Sequence, residues 1–291
     1  MPLVALVLMT AVWGVTFVQV KDALELYPLF AFLAVRFALA AGVLAVPAAS
    51  RLRAVGRRGA AAAGVLGGLL AGGYALQTAG LERTTVSSTG FVTGTCVVLT
   101  PVLALVILRT RVPAGAWLGV ALSAAGLVML SGVGAGSAAG DLLVLGGAAA
   151  YALQIVLLER FAPRYDPLAF TFLEMVAAFG VFAAIALAVG EVEAPSGLTV
   201  WGAIVVTGLF ASALGFLVQT WAQRRTTATQ TALAFAMEPV FTGIFGYALA
   251  GDRLGYVGWG GCAAILAGIV VAEPAAADVL IRRLRREPRA A

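Results

Sequence analysis

From residue 3 to residue 272 the chain is a succession of apolar runs, each long enough to cross a bilayer and each divided from the next by a few residues. The runs are 3–20, 28–47, 60–80, 84–108, 113–132, 141–159, 167–189, 199–222, 226–250 and 255–272. A hydrocarbon core about 30 Å thick needs about 20 helical residues per crossing. Ten crossings nearly exhaust 291 residues. With 11% charged residues and a mean hydropathy of +1.01, the chain cannot cover a globular surface with charge. The fold expected is all-α and integral to the membrane, with ten transmembrane helices. The first run has no basic segment before it, and no small-x-small cleavage site follows it before Lys21. It is read as a retained helix.

The loops set the orientation. With the N-terminus inside, the inner loops collect Arg51, Arg53, Arg57, Arg58, Arg109, Arg111, Arg160, Arg164, Arg224 and Arg225. The tail adds Arg282, Arg283, Arg285, Arg286 and Arg289, which makes 15 of the 19 basic residues. The outer loops hold Lys21, Arg83 and Arg253, and a miscounted helix would erase this bias. Both termini are therefore expected in the cytoplasm, with the chain in the cell membrane. The tail reads as an anchor touching anionic membrane lipid, with no nucleic-acid role.

An internal repeat divides the chain. Gln77-Thr78, followed after a short gap by Arg83-Thr84-Thr85, returns as Gln219-Thr220 followed by Arg225-Thr226-Thr227. The same offset relates Trp117, Gly119 and Gly126 to Trp259, Gly261 and Gly268. Pro101-Val102 and Pro239-Val240 lie closer together than that offset. The difference is about one helical turn, which keeps the face. Five spans per copy invert the second copy, the layout of carriers that hold solute at the midplane between repeats. The expected units are residues 1–132 and 141–273, with a linker at 133–140 and a basic cytoplasmic tail at 274–291.

Charge inside a bilayer is expensive and usually faces a cavity or a partner. Arg36 and Glu174 lie at nearly equal depths of the second and seventh spans. Two readings stand: a buried ion pair across the pseudo-twofold, or an Arg36 guanidinium that holds an anionic group of a solute. Glu238 precedes Pro239, which loosens the helix ladder, and there is no histidine to relay protons. Glu238 is the candidate for proton coupling. Helical periodicity groups polar and aromatic side chains into stripes. These add Trp13 and Thr16, then Tyr74, Gln77 and Thr78, then Tyr151 and Gln154, then Phe216, Gln219 and Thr220, with Trp221 beside them. Thr89, Thr93, Cys96 and Thr100 mark one side of the fourth span.

The fifth and tenth spans carry glycine seams instead, Gly115, Gly119 and Gly126 with Gly258, Gly261 and Gly268. They are expected to brace the bundle or to form a homodimer contact. Gly90-x-x-x-Gly94 offers the fourth span a close approach that rocking needs. Cys96 and Cys262 sit mid-span and read as packing residues. No metal site or cofactor is expected.

Trp13-Gly-x-x-Phe17, Arg36-Phe37, the run around Tyr74–Gly80 and the two Pro-Val pairs resemble the motifs of EamA-type transporters of the drug/metabolite transporter superfamily. The resemblance covers essentially the whole chain as two EamA-like units. It implies a ten-helix basket of two inverted five-helix repeats that exports, or less often imports, small metabolites. One departure is Arg109-Thr-Arg111 after the fourth span, where the family carries an acidic residue; Asp252 keeps that position after the ninth. The function expected is secondary active transport of an amino acid-like or amphipathic solute by alternating access, with a channel-like uniporter as the alternative. A membrane-embedded enzyme would need a nucleophile–base set or metal ligands. The chain has no His, no HExxH and no Ser elbow.

Overall fold

A computed structural model describes residues 1–131, 137–241, 244 and 255–272. The linker 133–140 is therefore described only in its last residues. Asp252, Arg253 and the arginine-rich tail lie outside the described residues.

The described residues are mostly helical, joined by short connections, with no strand among them. The order is α1 (Pro2–Leu24), α2 (Leu29–Ala48), α3 (Leu52–Leu81), α4 (Val86–Gly94), α5 (Cys96–Leu103), α6 (Ala114–Ser131), α7 (Ala138–Phe161), α8 (Pro167–Val189), α9 (Leu198–Val206), α10 (Gly215–Gln223), α11 (Ala228–Phe235) and α12 (Tyr256–Ala272). Five helical stretches are long and apolar enough to cross a membrane: Leu29–Leu81, which holds α2 and α3, Ser88–Leu108, Ala138–Arg164, Pro167–Val189 and Leu198–Gln223. Three shorter apolar helices, Pro2–Thr16, Ala114–Met129 and Tyr256–Ala272, join them. The protein is a helical membrane protein.

Local chemistry sets the ends. Asp166 caps α8 by accepting from the Leu168 and Ala169 amides, and Pro167 opens it. Gly190 ends α8 in a left-handed turn at φ 82°. The second threonine of each Arg-Thr-Thr motif is an N-cap: Thr85 accepts from the Ser88 amide, and Thr227 forms a capping box with Gln230. Gly56, at φ 63°, breaks α3 near its start, so the run beginning at residue 60 is the straight part. Glycine alone adopts that backbone without strain.

Three spans are less regular than their apolar runs suggest. The run 84–108 breaks at Thr95 between α4 and α5 and ends in a π-helical turn, Ala104–Leu108. The run 226–250 breaks at Ala236 before the helix resumes at residue 237. Each break lies N-terminal to a proline of the Pro-Val pairs, where the ladder has lost a donor. Between α9 and α10 a π-helical segment, Thr207–Leu214, widens the helix.

Helices of the two halves pack against each other: α2 on α8, α3 on α7 and α8, α1 on α9 and α10, α5 on α11. Phe32, Phe37, Phe170 and Phe182 are fully buried on these contacts. The glycine seam lies inside the chain. A Cβ on Gly119 would meet the Gly268 carbonyl at 2.5 Å, and one on Gly126 the Gly261 carbonyl at 2.6 Å. Bracing is thus the use these glycines have within the chain. The repeat-related Trp117 and Trp259 are exposed on the outer faces of the same pair.

Candidate functional site

The central cavity offers about 110 Å³ of space open to the centre of a water molecule. That is enough for several waters or a small solute. Its wall takes residues from both halves: Trp13 and Thr16 of α1, Arg36 of α2, Tyr74, Gln77 and Thr78 of α3. The second half adds Tyr151 and Gln154 of α7, Phe216 and Gln219 of α10, and Glu238 with Pro239. Most of the polar stripes therefore converge on one space. Five of the expected residues do not reach it: Thr89, Thr100, Thr220, Trp221 and Glu174. Trp221 turns outward, 36% exposed, beneath the Arg225 guanidinium. Glu174 lies behind the wall, fully buried.

Arg36 is 3% exposed and is held without a carboxylate. Its Nε donates to Ser212 Oγ at 2.8 Å and one terminal nitrogen donates to Tyr74 Oη at 3.1 Å. The guanidinium carbon lies 4.6 Å from the Tyr74 ring centroid and 5.6 Å from that of Phe37. This is a cation–π seat. Hydroxyls and rings fix the group in place. Of the two readings, the ion pair with Glu174 is not formed: Glu174 Oε1 accepts instead from Gln154 Nε2 at 2.9 Å. The reason is topological. Arg36 turns toward the π segment between α9 and α10, and Glu174 turns toward α7. The ion pair found among the described residues is Arg51–Asp166, at the surface.

The π segment does two jobs that no apolar run announces. Ala211 offers its carbonyl to Trp13 Nε1 at 2.8 Å while Ser212 serves Arg36. Widening of the helix there frees the carbonyl. Close packing at Gly208 and Gly215 permits the approach, since a Cβ there would crowd Leu39 and Trp13 respectively. Trp13 also meets the Phe235 ring edge-on at 4.8 Å, where α11 ends, a favoured aromatic geometry. Ser212 and Phe235 were not singled out from sequence. The only signal for Ser212 is the small-residue spacing Gly208, Ser212, Gly215.

On the α3 side, Gln77 is fully engaged: its Nε2 donates to Thr93 Oγ1 at 2.8 Å and its Oε1 accepts from Tyr151 Oη at 3.1 Å. Thr93, Cys96 and Gly90 line the cavity, whereas Thr89 and Thr100 are buried and bond to the carbonyls of Thr85 and Cys96. The break at Thr95 divides that threonine stripe. Gly94 packs on Leu127.

Both ends of α7 hold the start of a broken helix. Asp141 Oδ1 accepts from Thr84 Oγ1 at 2.8 Å and from Ser88 Oγ at 2.6 Å, next to the start of α4. Glu159 Oε2 accepts from the Ala228 amide, the first residue of α11, at 2.6 Å. The helix dipole favours a carboxylate at that end.

Comparison with known proteins follows the same outline. The model of the EamA-like transporter family matches residues 1–132 and 138–272. A curated relative from Archaeoglobus fulgidus, described as an uncharacterized transporter, is 29% identical over 266 residues, spanning 91% of this chain and 83% of its own. The uncharacterized transporter YyaM of Bacillus subtilis is 28% identical over 195 residues, 64% of this chain and 63% of its own. A solved crystal structure superposes with a TM-score of 0.76 at 19% identity, covering 97% of each chain, a likeness of fold.

Proposed function

Because the chain belongs to the EamA-like transporter family, we propose that it is a secondary active carrier of a small organic metabolite bearing an anionic group, an amino acid-like or amphipathic solute. In this reading, ten helices form two inverted five-helix halves in the cytoplasmic membrane, and both termini are cytoplasmic. The halves rock about the central cavity to give alternating access, running as export. The single observation that carries it is Arg36. Its guanidinium has neutral partners and is set in a cavity walled by residues of both halves. Such a group is poised to take a carboxylate in a bidentate fork.

The helix pairing supports the inversion. A twofold that exchanges the halves maps α3 on α7 onto α1 on the α9–α10 span, and maps α2–α8 and α6–α12 onto themselves, which matches the packing. Glu238 shares the cavity with Arg36 and is the candidate coupling group. Aromatic walls with a few amides suit an organic solute better than a bare ion.

The test is ligand-induced thermal stabilisation of the purified protein with amino acids, organic acids and cationic toxins. Anionic or zwitterionic solutes should raise the melting temperature of the wild type and not of Arg36→Lys. Stabilisation by cations alone, unchanged in Arg36→Lys, would remove the assignment. Proton coupling is tested apart: vesicles containing Glu238→Gln should lose the response of flux to a pH gradient, and a full response would rule Glu238 out.

A further inference from the structure

Behind the cavity wall, α7, α8 and α10 share a chain of side-chain amides whose direction is fixed at both ends. Gln223 Nε2 donates to the Ile155 carbonyl at 2.8 Å, and Gln154 Nε2 donates to Glu174 Oε1 at 2.9 Å. The oxygens of Gln154 and Gln223 must then both face Gln219, whose Nε2 gives one hydrogen to each at 2.9 Å. Gln219 Oε1 is left with no donor, and so is Glu174 Oε2. Rotating the Gln219 amide cannot repair this, because its oxygen would then oppose two amide oxygens.

The two stranded atoms are closed to solvent, on residues 1% and 0% exposed. A buried polar atom left unpaired loses its hydration without compensation, the more so on a charged group, so such atoms in a folded protein call for an explanation. Among the described residues two other buried side-chain atoms share this state, Gln19 Oε1 and Ser123 Oγ, each alone. Here two fall in one hydrogen-bonded chain, both are acceptors, and Gln154 touches both residues. What satisfies them must donate or be positive.

We propose that Glu174, Gln154 and Gln219 form a binding site for a small monovalent cation, a proton or a sodium ion, entered from the cavity. Gln154 and Gln219 line the cavity and Glu174 does not, so the amides stand between the entering ion and the carboxylate. The charged and titratable groups on the elements around Glu174 are engaged elsewhere or, like Arg160 of α7, exposed near the ends of their helices. Arg36 of α2 bonds Ser212 and Tyr74, and Tyr151 of α7 bonds Gln77. Glu159 and Asp141 hold the starts of α11 and α4, and Arg51 pairs with Asp166. Arg53, Arg57 and Arg58 sit at the far, early end of α3, and α10 carries no charge. Among the described residues no cation pairs with Glu174 as its counter-ion. The proposal rests on the transport reading and adds to it a cation site separate from Glu238. Its test reads binding and not flux, so its failure would leave that reading standing.

The experiment is thermal unfolding of the purified full chain from mildly acidic to mildly alkaline pH, in sodium or choline chloride at matched ionic strength, for the wild type and Glu174→Gln. A proton site predicts that acidification raises the wild-type melting temperature by several degrees relative to Glu174→Gln, since surface carboxylates titrate equally in both. A sodium site predicts that sodium, against choline, stabilises the wild type at alkaline pH and leaves Glu174→Gln unmoved. A wild type indifferent to both ions overturns the proposal, as does an equal response in the variant. Should Glu174→Gln not fold, radioactive sodium binding and proton uptake after a pH jump are measured on the wild type alone. The absence of both overturns it.

Discussion

Two regions of the molecule use the same internal repeat in opposite ways. In the α6–α12 seam the copies are equivalent: a Cβ on Gly126 would meet the Gly261 carbonyl and Ile265, and one on Gly268 would meet the Gly119 carbonyl and Ser123, which is the repeat partner of Ile265. In the core the copies diverge. Gln77 has partners for both ends of its amide, whereas Gln219 spends its nitrogen on two glutamines and strands its oxygen. A duplicated contact that stays symmetric can serve as a fixed axis. One that has become asymmetric, as where Leu81 stands at the repeat position of Gln223, gives the two halves different local bonding, which the proposed rocking can use.

The largest expected effect lies where the asymmetry is greatest. Arg36→Lys keeps the charge but cannot span Ser212 and Tyr74. It should weaken solute binding about 10- to 100-fold, the loss of one charged hydrogen bond, read by equilibrium binding. Next comes the glutamine pair. Gln219→Leu should destabilise by about 2 kcal/mol or more because it strands two buried amide oxygens, and Gln77→Leu by about 1 kcal/mol because Thr93 and Tyr151 can turn to the cavity. Equal losses in chemical denaturation would break the comparison. In the seam, Gly126→Ala and Gly268→Ala should each destabilise by about 1–2 kcal/mol, since overpacking meets a glycine carbonyl and one repeat-equivalent side chain in both.

Glu159→Ala should lower stability by about 1 kcal/mol through loss of the α11 cap, and amide exchange near Ala228 should quicken. The smallest effect is at Glu82, whose repeat partner is Arg224. Partial burial raises the Glu82 carboxyl above its ordinary range, Arg83 pulls it back and Glu191 pushes it further up. A folded value above the unfolded one means that its contribution is present at acidic pH and is lost as pH rises through the folded value. Glu82→Gln should flatten the stability–pH curve there by roughly a few tenths of a kcal/mol, scaled down for its exposure.

Much of this was legible in the residues. Apolar runs placed the described helices, whereas the Arg-Thr-Thr motifs, read in the sequence only as a repeat, prove also to hold the N-caps of α4 and α11. Face periodicity brought Trp13, Arg36, Tyr74, Gln77, Thr78, Tyr151, Gln154 and Gln219 to one cavity. What sequence spacing could not supply was rotation about the helix axis after a break. Thr89 and Thr100 lie off the cavity although Thr93 and Cys96, one turn away on the same helices, line it; each is buried with its hydroxyl on a carbonyl of its own helix. Ser212 enters because a π segment carries it toward Arg36. Glu174 and Trp221 are displaced for a related reason: depth along a span is visible in sequence, but the helix that a side chain turns toward is set by packing between the halves.

The account rests on one cavity exposed in turn to each side of the membrane. Trans-stimulation in reconstituted vesicles tests it most directly, with a solute found by thermal stabilisation as the tracer. Uptake of the labelled solute should saturate, should accelerate when unlabelled solute is loaded inside, and should need a higher solute concentration in Arg36→Lys. Flux that rises without saturation and ignores the solute on the far side would contradict alternating access and identify a channel.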